Sequence, residues 1–149
     1  MRIASSPVYV DTSALAKLYV AEAESRLLER AVVGRRDLLV SDLAVTELVS
    51  VLMRRAREGS IALESAVLIH RTLVQHLMVK VLQRVIVDGS AHRDAERLLM
   101  RFGDRIPLRA ADAMHLALVA RSGARSFVTF DRRLTFAARV YGEFDLLTP

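Results

Sequence analysis

Val8-Tyr9-Val10-Asp11-Thr12-Ser13-Ala14-Leu15 is an apolar run that ends on a carboxylate and continues as a helix. The first three residues read as a short strand, and Thr12 to Val20 reads as helical. The same grammar returns near the other end of the chain. There Ser126-Phe127-Val128-Thr129-Phe130 is β-rich, Asp131 follows it, and Arg132 to Tyr141 reads as a helix. A short strand, an acid at its carboxyl end and a helix behind it form the unit of an α/β protein with a parallel sheet.

The remaining segments extend this pattern. Ala21 to Val33 continues the first helix, as a second helix or a bent one. Leu38-Leu39-Val40 is a second strand. Asp42 to Arg57 is helical behind the N-cap candidate Ser41, with Gly59 past its end. Ile61 to about Gln83 is a long apolar helix, expected to be core or an oligomer seam. Val85-Ile86-Val87 is a third strand. Ala91 to Phe102 is a helix behind Ser90, Ala110 to Arg121 is another, and Asp145 to Leu147 is an edge strand. The expected fold class is α/β, a three-layer α/β/α sandwich with a central, mostly parallel sheet. Residues 1–149 are of single-domain size, with no internal repeat or linker. Gly34, Gly59, Gly103, Gly123 and Gly142 each follow an expected helix, and Gly89 follows the third strand. That use of the glycines leaves none for a GxGxxG or Walker loop.

Composition narrows the function classes. No apolar run reaches the ~18–20 residues of a membrane span, and Met1 to Pro7 holds no signal-peptide core. A cytoplasmic compartment is expected. Cysteine is absent, which removes disulfides, thiolate metal sites and a cysteine nucleophile. The net charge is +5, carried almost entirely by arginine, since Lys17 and Lys80 are the only lysines. Arginine forks match phosphate oxygens, so a polyanion such as nucleic acid is one reading and a solvated basic surface the other. Trp is absent and aromatics make up 5% of the chain, so no stacking platform for unpaired bases is evident.

Four acids stand out by their surroundings. Asp112 lies in Ala110 to Ala120, a stretch that is apolar all round apart from Asp112 and His115. An ionised carboxylate there must be paired, metal-bound or placed at an opening. Arg109 is its only nearby basic residue. Glu47 has Leu43, Ala44, Ser50 and Val51 as helical neighbours; it is a ligand or the partner of Arg54 or another arginine. Asp11 and Asp131 are each an N-cap or a ligand. Both fall at carboxyl ends of strands, where open α/β sheets bind ligands. Four acids in one low-dielectric place cannot all ionise unassisted, and a divalent cation that prefers oxygen ligands, Mg²⁺ or Mn²⁺, resolves that conflict. His115 reads as a satisfied core histidine. His70 and His76 read as packing, and His92 as surface.

Neither GxSxG nor HExxH occurs. An aspartyl phosphatase would want a second Asp two residues after Asp11, where Ser13 stands.

The four acid-bearing segments together resemble the PIN domain family, and specifically the VapC toxins of prokaryotic toxin–antitoxin pairs. They are Tyr-Val-Asp-Thr-Ser-Ala-Leu at 9 to 15, Val-Thr-Glu-Leu around Glu47, Leu-Arg-Ala-Ala-Asp-Ala-Met-His-Leu-Ala at 108 to 117, and Val-Thr-Phe-Asp-Arg-Arg-Leu at 128 to 134. The resemblance implies a Mg²⁺- or Mn²⁺-dependent endoribonuclease, usually a homodimer, neutralised by a small antitoxin. It aligns Asp11, Glu47, Asp112 and Asp131 with the family's catalytic, metal-binding quartet, and Thr12 or Ser13, and Thr129, with assisting hydroxyls. Arg109, Arg132 and Arg133 are candidates for phosphate contact. A non-catalytic RNA- or partner-binding domain of the same fold is the alternative, and the phosphatase a weaker one.

Overall fold

The computed structural model describes residues 6–148, so the reading of Met1 to Pro7 falls largely outside the described residues. Among the described residues, five strands form one sheet: β1 (Val8–Val10), β2 (Leu38–Ser41), β3 (Gln83–Val85), β4 (Ser126–Val128) and β5 (Asp145–Leu147). Their order is β3-β2-β1-β4-β5, and each of the four pairings is parallel. The chain therefore reverses its direction of build beside β1, whose neighbours are β2 and β4. The crevice at the carboxyl ends of two such strands is the usual ligand site of an open parallel sheet.

Alternation along the strands sorts the helices into two layers. Val8, Val10, Leu38, Val40 and Val128 face one side, where they meet buried residues of α1 (Thr12–Tyr19), α2 (Ser25–Val32), α3 (Asp42–Arg57) and α4 (Leu63–Met78). Tyr9, Leu39 and Phe127 face the other, against α5 (Gly89–Phe102), α6 (Ala110–Ser122) and α7 (Arg132–Tyr141). This is the expected three-layer sandwich, and the central strands are buried on both faces, as their continuous apolar runs require. The helix read as apolar all round, α6, buries seven residues. Gly123 ends it with φ +74°, a left-handed cap that a side chain would strain.

The departures have local causes. The long helix stops at Met78 rather than near Gln83, because Lys80 takes φ +57° and the chain turns there. The third strand then starts two residues early, at Gln83. It pairs with β2 alone, at the sheet edge, so exposed Gln83 and Arg84 can occupy it while Ile86 remains exposed. The fourth strand ends at Val128 instead of Phe130, because the Phe130 amide bonds the Ser13 side chain at 2.8 Å and leaves the ladder. Asp88, not Ser90, caps α5, accepting from the Ser90 and Ala91 amides. Gly103 follows α5 as expected but ends it in right-handed geometry, not in the left-handed cap that Gly123 makes. His70 is exposed rather than packed, whereas His76 bonds the Tyr19 hydroxyl at 2.7 Å. Only Ala66 and Leu73 of α4 are fully buried; Leu63, Val67, Leu68, Val74 and Met78 leave its outer face apolar and uncovered.

Candidate active site

Asp11, Glu47, Asp112 and Asp131 come from four separate segments and line a single cleft of about 400 Å³ at the carboxyl edge of the sheet. Arg109, His115 and Arg133 line it too.

Asp11 is fixed by the turn from β1 into α1. Its Oδ1 caps the helix by accepting from the Ala14 amide at 2.9 Å. Ser13 donates to the same carboxylate at 2.7 Å, and Thr129, at the end of β4, donates to Oδ2 at 2.6 Å. The cap reading and the cleft reading are therefore both true of one side chain. Asp11 is almost wholly buried, and burial pushes its carboxyl above the ordinary value despite the favourable field of His115 and the bonds from Thr129, Ala14 and Ser13.

Glu47 has a different environment. It does not pair with Arg54 or any other arginine among the described residues; its Oε2 meets Thr12 Oγ1 and, at 2.9 Å, His115 Nε2. Burial raises its carboxyl, but the bonds from His115 and Thr12 and the charge of His115 outweigh this and hold it below the usual value. An ionised carboxylate only accepts, so His115 Nε2 carries a hydrogen. His115 Nδ1 in turn lies 3.0 Å from the Tyr9 hydroxyl, which lies 2.7 Å from Ser41 Oγ. Ser41 also caps α3 through the Ala44 amide. The histidine is a satisfied core residue, as its sequence context suggested, and it also orients an acid of the cleft. Tyr9, hidden inside an apolar strand triplet, had no signal of its own.

Asp112 and Asp131 are held by charge. Arg133 Nε donates to Asp112 Oδ2 at 2.8 Å, and Arg133 Nη2 lies 3.8 Å from Asp131 Oδ2. Asp112 also accepts from the Arg109 amide at 3.0 Å, and Asp131 Oδ1 caps α7 through the Arg133 and Leu134 amides. The partner of the buried Asp112 is thus an arginine 21 residues away, outside any helical-neighbour reading. Arg132 lines a neighbouring cavity and not the acid cleft.

The donor set is all oxygen, which suits Mg²⁺ or Mn²⁺. As the side chains lie, no three acids or histidines among the described residues are grouped closely enough to hold one ion together. Protein donors occupy much of that capacity, Arg133 above all.

Residues 8–140 match the PIN domain family. The chain belongs to it. The chain is 33% identical over 132 residues to ribonuclease VapC3 of Pyrobaculum aerophilum, covering 84% of this chain and 89% of that protein. It is 33% identical over 138 residues to ribonuclease VapC46 of Mycobacterium tuberculosis, covering 91% of this chain and 92% of that protein. The crystal structure of the sarcin-ricin-loop-cleaving toxin VapC20 of Mycobacterium tuberculosis shares this fold with a TM-score of 0.68 at 21% identity, over 87% of this chain and 94% of that one. The DNA-bound VapBC structure from Salmonella typhimurium does so with a TM-score of 0.60 at 16% identity, over 95% and 96%. No helix among the described residues is long and apolar enough to cross a membrane.

Proposed function

We propose that this PIN domain is a VapC-type endoribonuclease that hydrolyses RNA phosphodiesters with Mg²⁺ or Mn²⁺ in the acid cleft. The observation that carries the reading is the convergence of Asp11, Glu47, Asp112 and Asp131 on one cleft where the strand order reverses. Asp11, Asp112 and Asp131 would be the ligands, with Arg133 yielding Asp112 to the ion. A bound divalent cation supplies Lewis-acid stabilisation of the phosphodiester and a more acidic water.

The chain's own groups do the rest. Glu47, its Oε2 fixed by His115 and Thr12, keeps Oε1 free to orient the attacking water and take its proton, or to bind a second metal. Arg109 and Arg133 sit in the cleft wall to receive phosphate charge. Thr129 and Ser13 hold Asp11 in place by donating to it.

Residues 1–149 act in this reading as one nuclease domain, in the cytoplasm, as a homodimer neutralised by a small antitoxin. The uncovered apolar face of α4 supports a protein partner or second copy there. Purified protein with Mn²⁺ is expected to cut RNA, and Asp11→Asn to cut it at least about 100-fold more slowly, the upper end of what disturbing a metal site's supporting shell costs. Equal cutting by both proteins would overturn the assignment.

A further inference from the structure

Beside the acid cleft, and sharing Ser13 and Ala16 with it, lies a second cavity of about 790 Å³. One wall is the outer face of α7. Arg132, Phe136 and Arg139 stand there at helical spacing and are all exposed. Phe136 is 51% exposed and is the one large hydrophobic in this wall so open to solvent. Neither Arg132 nor Arg139 has an ion-pair partner among the described residues. The acids of the opposite wall are already matched: Glu22 by Lys17 and Arg55, Glu24 by Lys17. Lys17 also lies over the Phe130 ring, 4.9 Å from its centroid. The free charge of the cavity is therefore positive, and it brackets an exposed ring.

We infer that this cavity is a subsite for an unpaired nucleotide next to the cleaved bond, with a base stacked on Phe136 and phosphates held by Arg132 and Arg139. The inference rests on the RNA-hydrolysis reading above. Its chemistry is that of single-strand binding, a cationic track with an aromatic face that accepts any base. A duplex would use the arginines and leave the ring unsatisfied. A volume of that order lies within the ~300–1,000 Å³ of ordinary ligand sites. The low aromatic content of the chain conceals this platform because one ring, placed between two arginines, is enough to make it.

The test is binding of a fluorescent single-stranded RNA in EDTA, with 2-aminopurine as the stacking reporter, alongside Mn²⁺-dependent cutting of the same RNA by the unaltered protein. Phe136→Leu is expected to weaken binding by about 10-fold and remove the 2-aminopurine quenching, whereas Phe136→Tyr stays within about 2-fold, since the loss tracks the stacking face. Arg132→Gln and Arg139→Gln should each reduce the slope of log affinity against log salt by about 0.7. Because the three side chains are exposed, unchanged Tm verifies folding. Binding and cutting indifferent to Phe136→Leu would overturn the subsite alone. Ring-dependent binding without any cutting by the unaltered protein would keep the subsite and overturn the hydrolysis reading. RNA binding unmoved by Phe136→Leu, together with loss of co-purification of a co-expressed antitoxin, would assign the cavity to a protein and overturn the subsite.

Discussion

The two sides of the acid cleft hold their carboxylates by opposite means. On the Asp11 and Glu47 side the donors are hydroxyls, a helix amide and an imidazole, drawn from α1, α6 and the residue that follows β4, and rooted in the core through Tyr9 and Ser41. On the Asp112 and Asp131 side a single guanidinium, 30% exposed, lies between both acids. The hydroxyls and the helix amide that bond Asp11 orient it but leave much of its charge in place, so this buried carboxyl is pushed toward its protonated form. A guanidinium neutralises as well as orients, and it stands on a flexible stem at the mouth of the cleft. One side is thus built to demand a cation and the other to part with one.

The largest expected effect follows from the demanding side. Asp11→Asn keeps the helix cap, because the amide oxygen can still accept from Ala14, yet removes the charge on which the site depends. The loss of RNA cutting given above should therefore come without loss of fold, and circular dichroism checks it. An unfolded Asp11→Asn protein would mean that the carboxylate is structural.

Next in size is the rooted relay. Tyr9→Phe deletes one oxygen and leaves Ser41 Oγ and His115 Nδ1 facing an apolar ring edge in a fully buried place. Buried groups stripped of a partner cost about 1–3 kcal/mol, so the midpoint of urea denaturation should fall accordingly. Because His115 then loses one of its two anchors while touching Glu47, cutting at saturating RNA should drop by about 10-fold, as for an outer-shell partner of a metal site. A stability loss with unchanged turnover would show that the orientation of Glu47 does not depend on the relay.

How much of this was legible before folding depends on where each partner sits in the chain. The strand–acid–helix units at Asp11 and Asp131 are local, so the sequence pattern carries both acids and the end of β1, whereas the end of β4 is set by the distant contact of the Phe130 amide with Ser13. Asp112 was conspicuous because its helix is apolar all round. The Arg133–Asp112 contact, the His115–Glu47 contact and the Tyr9–His115 contact join different elements, and helical or strand periodicity reports only the face of its own element. Edge strand β3 was displaced for a related reason. Apolarity marks a strand covered on two sides, and β3 has a strand neighbour on one. The row of Arg132, Phe136 and Arg139 was present as spacing, but its meaning depended on which side of α7 the fold leaves open.

A smaller effect is expected from the parting side. Arg133→Gln leaves Asp112, whose side chain is 8% exposed, with the Arg109 amide and no cation. The cleft admits water, so the cost should be about 1–2 kcal/mol rather than that of a sealed ion pair. For a chain of this length that is a fall in Tm of roughly 2–8 °C. Added Mn²⁺ should then raise Tm more in Arg133→Gln than in the unaltered protein, because the ion no longer competes with the guanidinium for Asp112. Equal Mn²⁺ shifts in both proteins would break the distinction drawn between the two sides.

The smallest expected effect isolates the charge of Asp11 in the metal-free protein. Its folded-state pKa is raised above an unfolded value near 3.8, so protonation favours the fold. The corresponding stability is fully present below about pH 4 and is lost as pH rises through the folded value. Asparagine cannot ionise, so Asp11→Asn in EDTA should match the unaltered protein at low pH and become the more stable of the two as pH rises, by a margin that levels off once Asp11 is ionised. Paired thermal melts across that range read the margin directly. A margin of the opposite sign would mean that Thr129, Ser13 and the Ala14 amide more than offset burial, and that the Asp11 side, like the Arg133 side, is already satisfied without an ion.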